Sequence, residues 1–386
     1  MEIRIAIVTE TFHPYRGGSS KRYHEVFKRL ARRGHEVELY TARLDPRWSM
    51  LEEVDGVVVH RSDRVHPNFI TGEGFRSIGS VLGFTAWSLR ELLGDGDFDV
   101  VEANHCPIFP AMGSWLHSRL RDTPLSITFH EAWHADWYRF APRRIYAPLG
   151  IALEGITTKL PDLAIAVSNM TAQRLIEFFG MPKSRIRVIS NGVDLDHFGR
   201  VRCARDRLRL VYAGRLNPHK RLEWLLEAYG LVRQDYPGVS LDIVGDGPMM
   251  GQYMEYAEAN GLRDVIFHGS VDDVELVRCL KGAGVFVLPS IREGQSITVL
   301  EAMAAGTPQV VVAVDGSGAA ELLAMSNSGI AVKPSPTAIA EAVKEMLGDE
   351  CLWRSLQDRG LSFIRSYSWD RVAEEHIGLY EGLAGC

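Results

Sequence analysis

Short apolar runs alternate with amphipathic stretches along the chain. Continuous apolar runs are typical of strands buried on both faces, and their alternation with helices predicts parallel, doubly wound sheets. A first set of strands is predicted at 3–9, 37–41, 56–61, 99–103, 125–129 and 163–167, with helices over 19–33 and 77–93. A second set is predicted at 208–212, 240–244, 265–268, 285–288 and 309–314. The pattern therefore predicts an α/β protein with two doubly wound sheets.

The length of the chain supports two domains. Its 386 residues exceed the ~250–300 at which single cores stop growing. The junction is predicted in the turn-rich, charged passage between residues 191 and 207. The predicted domains are 1–195 and 196–366, and a last helix within 367–386 is expected to pack on the first domain.

Composition excludes several classes of protein. Hydrophobic residues make up 46% of the chain, charged residues 24%, and the formal net charge is -6. This leaves no overall basic field for nucleic acid. The five cysteines lack C-x-x-C spacing, which argues against a disulfide framework or structural zinc. Because neither a signal peptide nor an apolar run of ~18 residues is present, a cytoplasmic location is expected.

The segment 293–301 carries the most informative chemistry. Glu293 and Glu301 stand eight residues apart, in a polar loop and helix that follow the predicted strand 285–288. A helix that starts near Ser296 after a Gly-containing turn presents free N–H groups, which favour a phosphate. Glu301, about a turn and a half into that helix, suits a ribose hydroxyl instead. The pattern indicates a site for a phosphorylated sugar compound.

Two other loops follow strands and complement this segment. After the strand 208–212, Arg215 offers a planar fork for phosphate oxygens and Lys220 a point charge. After the first strand, Gly17 and Gly18 allow backbone amides to approach a ligand closely. Open α/β sheets bind ligands at the carboxyl ends of their parallel strands, and all three loops begin there.

These motifs together resemble the signatures of retaining glycosyltransferases of family 4, which have the GT-B fold. Residues 293–308 resemble the family's E-x7-E motif and its tail, and 214–220 resemble its G-R-L-x-x-x-K motif. Residues 14–18 resemble its Pro-x-x-Gly-Gly loop, and 191–194 its N-G-V-D junction. The resemblance implies two Rossmann-like domains facing a central cleft, with a C-terminal helix that crosses back to the first domain.

The resemblance also implies a set of site residues. Catalytic roles are implied for His130, Glu293, Arg215 and Lys220, and donor binding for Gly17, Gly18, Gly245, Val271, Gln295, Ser296, Ile297 and Glu301. Arg215 and Lys220 would stabilise the leaving diphosphate, Glu301 would hold the ribose, and Glu293 would contact the sugar. The expected donor is a UDP- or GDP-sugar, with no separate cofactor. Gln295 and Ser296 replace the Phe-Gly of many members, which leaves the donor sugar open.

The acceptor and the assembly stay open. The first domain is expected to bind an acceptor that is lipid-linked, a glycan or a small molecule, in a monomer or homodimer. One alternative is a nucleotide-sugar isomerase or epimerase on a similar fold. Another is a non-catalytic subunit that binds sugar nucleotides.

A metal ion and a membrane are the remaining candidates for ligands. The D-x-D patterns at 95–97 and 194–196 lie before a strand and in the junction, so no metal site is expected. A basic patch is predicted from side chains of the first helix and a later loop. An ordinary solvated face is the structural interpretation, and peripheral contact with an anionic membrane or with a phosphate-bearing lipid acceptor is the functional one. Its members are Lys21, Arg22, Lys28, Arg29, Arg32, Arg33, Arg139, Arg143 and Arg144.

Overall fold

The computed structural model describes residues 2–66, 77–140 and 143–385. These form two compact units: Met1–Asn191 with Trp369–Cys386, and Gly192–Ser368. The sequence predicted the two boundaries at 195/196 and 366/367.

The first unit is built on a sheet of eight strands in the order β3-β4-β2-β1-β5-β6-β7-β8. All neighbours are parallel except β3 and β4, which are antiparallel. Its strands are β1 (Arg4–Val8), β2 (Glu36–Arg43), β3 (Leu51–Val54), β4 (Val57–Val65), β5 (Val100–Asn104), β6 (Leu125–Phe129), β7 (Leu163–Ala166) and β8 (Ile186–Val188).

Helices connect these strands. They are α1 (Gly18–Arg32), α2 (Ile78–Gly94), α3 (Ile108–Arg121), α4 (Trp137–Phe140), α5 (Ala147–Thr157) and α6 (Asn169–Phe179). The central strands β5 and β6 are buried along their whole length. Burial on both faces is typical of strands in a parallel sheet, and here it includes polar side chains: Glu102 and Asn104 on β5, and Ser126 and Thr128 on β6.

The second unit contains a parallel sheet of six strands in the order β11-β10-β9-β12-β13-β14. The strands are β9 (Asp206–Ala213), β10 (Ser240–Val244), β11 (Val265–Gly269), β12 (Ala283–Leu288), β13 (Gln309–Val312) and β14 (Gly329–Val332). The helices are α7 (Leu195–Arg200), α8 (Leu222–Asp235), α9 (Met250–Ala259), α10 (Asp273–Gly282), α11 (Ile297–Ala304), α12 (Gly318–Ser326), α13 (Pro336–Gly348) and α14 (Glu350–Phe363).

The last helix, α15 (Trp369–Ala384), belongs to the first unit and packs against α1, as predicted. Its Tyr380 hydroxyl donates to the buried carboxylate of Glu102 on β5. Arg22 of α1 is buried beside His376 and donates to the carbonyls of Ile189 and Ser190. Because an unpaired buried charge is costly, these hydrogen bonds hold α15, α1 and the backbone at residues 189–190 together.

Three strands were missed from the sequence: β3, β8 and β14. They have three or four residues each, and most of their side chains are exposed or half-buried. An edge strand with little burial lacks the apolar run that identifies a buried strand. Among the described residues, no helix is both long and apolar enough to span a bilayer.

Candidate active site

The second unit places two predicted catalytic side chains at the point where its strand order reverses. From β9 the chain first proceeds to β10 on one side, and later returns to β12 on the other side of β9. Lys220 follows β9 and Glu293 follows β12. Open α/β sheets bind ligands outside the carboxyl ends of strands at this kind of switch point.

Lys220 and Glu293 form an ion pair. The Lys220 Nζ lies 2.5 Å from Oε1 of Glu293, and the two side chains are 16% and 10% exposed. Their loops are also joined through the backbone, because the Ile291 N–H donates to the His219 carbonyl at 3.0 Å. The structure thus brings together a cation and a carboxylate that are 73 residues apart in the sequence.

Arg215 lies on the same loop as Lys220, immediately after β9, and is exposed. The Tyr212 hydroxyl donates to the Arg215 carbonyl at 3.0 Å, which fixes the backbone of this turn. The loop therefore carries two cations near the switch point. Such a pair suits a diphosphate, which requires neutralisation as it leaves.

Helix α11 starts where the sequence predicted, directly after Ser296. Ser296 is its N-cap residue, with extended backbone, and the first turn contains no acidic residue. The Ser296 hydroxyl pairs with that of Thr298 at 3.0 Å, so it does not cap the helix. The N–H groups at Ile297 and beyond thus favour an anion. Gln295 is half-buried in the preceding loop.

Glu301 is buried in the second turn of α11, with 2% of its surface exposed. The loop before the helix is held in place at its base, because the Gly318 N–H donates to the Glu293 carbonyl at 2.8 Å. A Cβ on Gly318 would approach the Gly294 carbonyl oxygen to 2.0 Å. This contact requires glycine at position 318, a residue that sequence reasoning did not single out.

The backbone structure explains why position 245 is a glycine. Its φ is +129°, and a Cβ there would lie 2.0 Å from the Gly214 carbonyl oxygen. The turns after β9 and β10 are thus in backbone contact, and the Gly214 N–H donates to the Val244 carbonyl at 3.0 Å. This packing explains the glycine without a ligand, and the nucleotide contact stays a prediction. Val271, just beyond β11, is half-buried against the core.

In the first unit, the corresponding reversal lies between β1 and β5. Gly17 is the N-cap residue of α1, and Gly18 is the first residue of that helix. A Cβ on Gly17 would come within 3.2 Å of the Tyr15 ring. The two glycines therefore occupy a helix start at the ligand end of the sheet, and their contact with a donor stays a prediction.

His130 lies directly after β6, on the same edge of the sheet. The residue is half-buried, and its Nε2 is buried and has no hydrogen-bond partner among the described residues. Burial, followed by the charges of Arg22 and His105, lowers the pKa of His130 to about 3. The imidazole is therefore neutral near pH 7 and can donate or accept one hydrogen bond to a hydroxyl.

A second histidine at this edge was missed. His105 follows β5, is 7% exposed, and its ring is tilted against that of Phe129, with 4.6 Å between the ring centroids. Burial lowers its pKa to about 4, and its Nε2 lies 3.8 Å from the Glu154 carboxylate. The available signal was its position immediately after a predicted strand, a position that it shares with His130.

The basic patch differs from its prediction. On α1, Arg22 is buried, and Lys28 and Arg29 both pair with Glu25. Arg32 faces Asp55 at 3.7 Å, and Arg33 faces Asp370 and Glu374 at 3.8 and 3.3 Å. Because carboxylates neutralise most of these cations, α1 does not present the continuous basic face that was expected.

One carboxylate of each D-x-D pattern has a structural role. Asp95 accepts a hydrogen bond from the Tyr40 hydroxyl at 2.7 Å, and Asp194 caps α7 by accepting from the His197 N–H. Within the described parts of the chain, two groups of side chains have ligand atoms within 4.8 Å of one another. They are Asp242, His268 and Cys279, and Glu38, His60 and Asp95. Neither group contains a predicted site residue.

Comparison with known proteins agrees with this architecture. The family model for Glycosyltransferase Family 4 matches residues 16–197, and the model for Glycosyl transferases group 1 matches residues 207–349. The phosphatidyl-myo-inositol mannosyltransferase of Mycobacterium leprae is 30% identical over 304 residues, which cover 77% of this chain and 76% of that protein.

Solved structures share the fold over the whole chain. The sucrose-phosphate synthase of Thermosynechococcus elongatus has a TM-score of 0.84 at 19% identity, with both chains covered completely. The HepE protein of Anabaena, in complex with UDP-glucose, has a TM-score of 0.74 at 16% identity over 99% of this chain and 100% of that one. The fold is GT-B, as predicted.

Proposed function

The chain belongs to glycosyltransferase family 4 and is a glycosyltransferase, and we propose that it transfers a sugar from a nucleotide-diphosphate sugar with retention and without a metal ion. The observation that carries the proposal is the Lys220–Glu293 pair at the switch point of the second unit. The UDP-glucose bound to the Anabaena protein supports a donor of this class. An isomerase or a non-catalytic subunit is not favoured, because the matching families and relatives are glycosyltransferases.

The second unit binds the donor in this proposal. The free N–H groups at the start of α11 receive the diphosphate, and Arg215 and Lys220 neutralise its charge as it departs. Glu301 accepts hydrogen bonds from the ribose hydroxyls. Glu293 contacts the sugar and stabilises the positive charge that develops on its ring.

The reaction is a same-face displacement. The bond between the anomeric carbon and the phosphate oxygen breaks, and the acceptor oxygen forms its bond to the same face of the sugar. The acceptor proton passes to the departing phosphate oxygen, so no covalent enzyme intermediate is required. Metal independence is supported by Arg215 and Lys220, which supply two positive charges for the leaving group.

The first unit binds the acceptor, which is lipid-linked, a glycan or a small molecule. His130, whose lowered pKa keeps the imidazole neutral, forms a hydrogen bond with an acceptor hydroxyl in this proposal. Peripheral contact of this unit with an anionic membrane is part of the proposal.

Thermal stabilisation by UDP-, GDP- and ADP-sugars, with a chelator present, is the first test. A donor at 100 times its dissociation constant should stabilise the protein by about 2.7 kcal/mol. Transfer to acceptors is then assayed with the donor identified, and the anomeric configuration of the product is determined by NMR.

Matched variants assign the site. Lys220→Met and Glu293→Gln should lower turnover by about 10²–10³-fold with the fold intact. Lys333→Met, at an exposed lysine of the same unit, should have wild-type activity. An inverted product, a strict metal requirement, or near wild-type turnover in both site variants would contradict the proposal.

A further inference from the structure

Helix α5 of the first unit has an inverted pattern of polarity. Its single charged residue, Glu154, is buried with 1% exposed, while Leu149 and Ile156 are 60% and 47% exposed. Ala152 is exposed between them. These positions are three and seven residues apart and therefore lie on one face of the helix. That face contains no charged side chain.

The segment before α5 extends this surface. Ile145 and Tyr146 are 79% and 49% exposed, and Pro148 is exposed as well. Isolated exposed apolar residues are normal on a protein surface, but a continuous row of them marks an interaction site. We call Ile145, Tyr146, Pro148, Leu149, Ala152 and Ile156 the α5 face.

The opposite side of α5 fixes the helix in this orientation. The Glu154 carboxylate accepts hydrogen bonds from the N–H groups of Trp133 and His134 and from the Trp137 indole, at 2.8 to 2.9 Å. A Cβ on Gly150 would lie 2.4 Å from the Trp137 ring, so α4 packs directly on α5. Rotation of α5 to bury its apolar face would break these bonds and expose a buried carboxylate.

Charge indicates the partner. Arg143 and Arg144 directly precede the α5 face, are exposed, and form no ion pair with another described residue. Arg139 is 77% exposed and shares Asp136 with Arg174. Apolar side chains bordered by arginines are the composition of segments that lie in the interface of an anionic bilayer.

We propose that the α5 face docks on an anionic lipid surface, with Leu149 and Ile156 in the bilayer interface and Arg143 and Arg144 at the lipid phosphates. The inference rests on the proposed membrane contact of the first unit and identifies its surface. The proposed membrane contact is thus assigned to the α5 face and not to α1, whose cations are buried or paired. The face holds the enzyme where a membrane-bound acceptor presents its hydroxyl.

Flotation with two kinds of vesicle tests the proposal on the full-length protein. One kind contains phosphatidylcholine alone, and the other also contains phosphatidylglycerol. The wild type should bind the anionic vesicles more tightly. Leu149→Gln with Ile156→Gln should weaken binding to both kinds by roughly tenfold or more, because the apolar contact is lost.

Variants of the two arginines measure the contribution of charge separately from that of the apolar contact. Arg143→Gln with Arg144→Gln should weaken binding to the anionic vesicles by about 25-fold, at about fivefold per cation, and leave binding to neutral vesicles unchanged. The control is Arg359→Gln with Arg365→Gln, two exposed cations of the second unit, which should bind as the wild type.

Three outcomes would overturn the inference. The first is wild-type binding in both α5-region variants, and the second is no binding of the wild type to anionic vesicles. The third is a dimer in sedimentation that Leu149→Gln with Ile156→Gln dissociates, which would assign the face to a second copy. Thermal stabilisation by the donor should be unchanged in all variants, so that loss of lipid binding is distinguished from failure of the proposed transfer.

Discussion

Removing the negative charge of Glu293 should strengthen the binding of a nucleoside diphosphate. The Glu293 carboxylate holds the Lys220 ammonium at 2.5 Å, so a diphosphate must compete with it for the same cation. Glu293→Gln retains the size of the side chain and releases Lys220. A substitution within the catalytic site is thus expected to raise product affinity while it lowers turnover.

The size of the effect follows from the burial of the pair. Exposed ion pairs contribute about 0–1 kcal/mol, and hydrogen bonds to charged groups about 1.5–3 kcal/mol. With side chains 16% and 10% exposed, this pair lies between the two ranges. We take roughly 1–2 kcal/mol, which corresponds to affinity higher by about 5- to 30-fold.

Calorimetric titration with UDP, GDP and ADP at fixed salt concentration measures these affinities. Lys220→Met should weaken binding by roughly 10-fold or more, since one charge-assisted hydrogen bond is lost. The double variant should resemble Lys220→Met, because Glu293 acts on the ligand through Lys220. Glu341→Gln, at an exposed carboxylate of the same unit, controls for the change in net charge.

The reasoning is refuted if Glu293→Gln weakens diphosphate binding as Lys220→Met does. It is also refuted if the two effects add in the double variant, which would show that the side chains act independently.

Two further predictions concern stability. Gly245→Ala should destabilise the second unit by at least about 2 kcal/mol in thermal unfolding, because its Cβ would collide with Gly214, whereas Gly251→Ala, in open space on α9, should be neutral or stabilising. Burial lowers the pKa of His376 to about 3, so its contribution to stability is present above pH 6.5 and lost as the pH falls toward 3. His376→Gln should therefore reduce the slope of the unfolding free energy against pH by up to ~1.4 kcal/mol per pH unit between pH 6.5 and 3. His105→Gln should have the same effect between pH 6.5 and about 4, because burial lowers the pKa of His105 to about 4. Urea titrations at several pH values measure the slope, and a slope equal to that of the wild type would contradict the prediction.

Much of the fold could be predicted because its signals are local. The strands Leu125–Phe129 and Ser240–Val244 have the predicted bounds, since each is a short, mostly apolar run that is buried almost throughout. The start of α11 after Ser296 was also predicted, from the turn and the motif around it. The strands β3, β8 and β14 lack such a run, and only their partners in the sheet define them.

The candidate site was predicted in part for the same reason. The sequence placed Lys220 and Glu293 each after a strand, but it did not show that they meet. Their contact depends on β12 lying beside β9, which long-range packing decides. His105 was missed because its importance arises from the neighbouring strand β6 and from burial.

The sequence by itself determined the alternation of strands and helices, the glycosyltransferase motifs and the family, because these are properties of neighbouring residues along the chain. Only the tertiary structure decided which side chains meet and which face water. It buried Arg22, which the sequence placed in a basic patch, and it turned Glu154 inward and Leu149 outward on α5. The same periodicity would suit either orientation of a helix, and the choice is made by hydrogen bonds and packing with residues distant in the sequence.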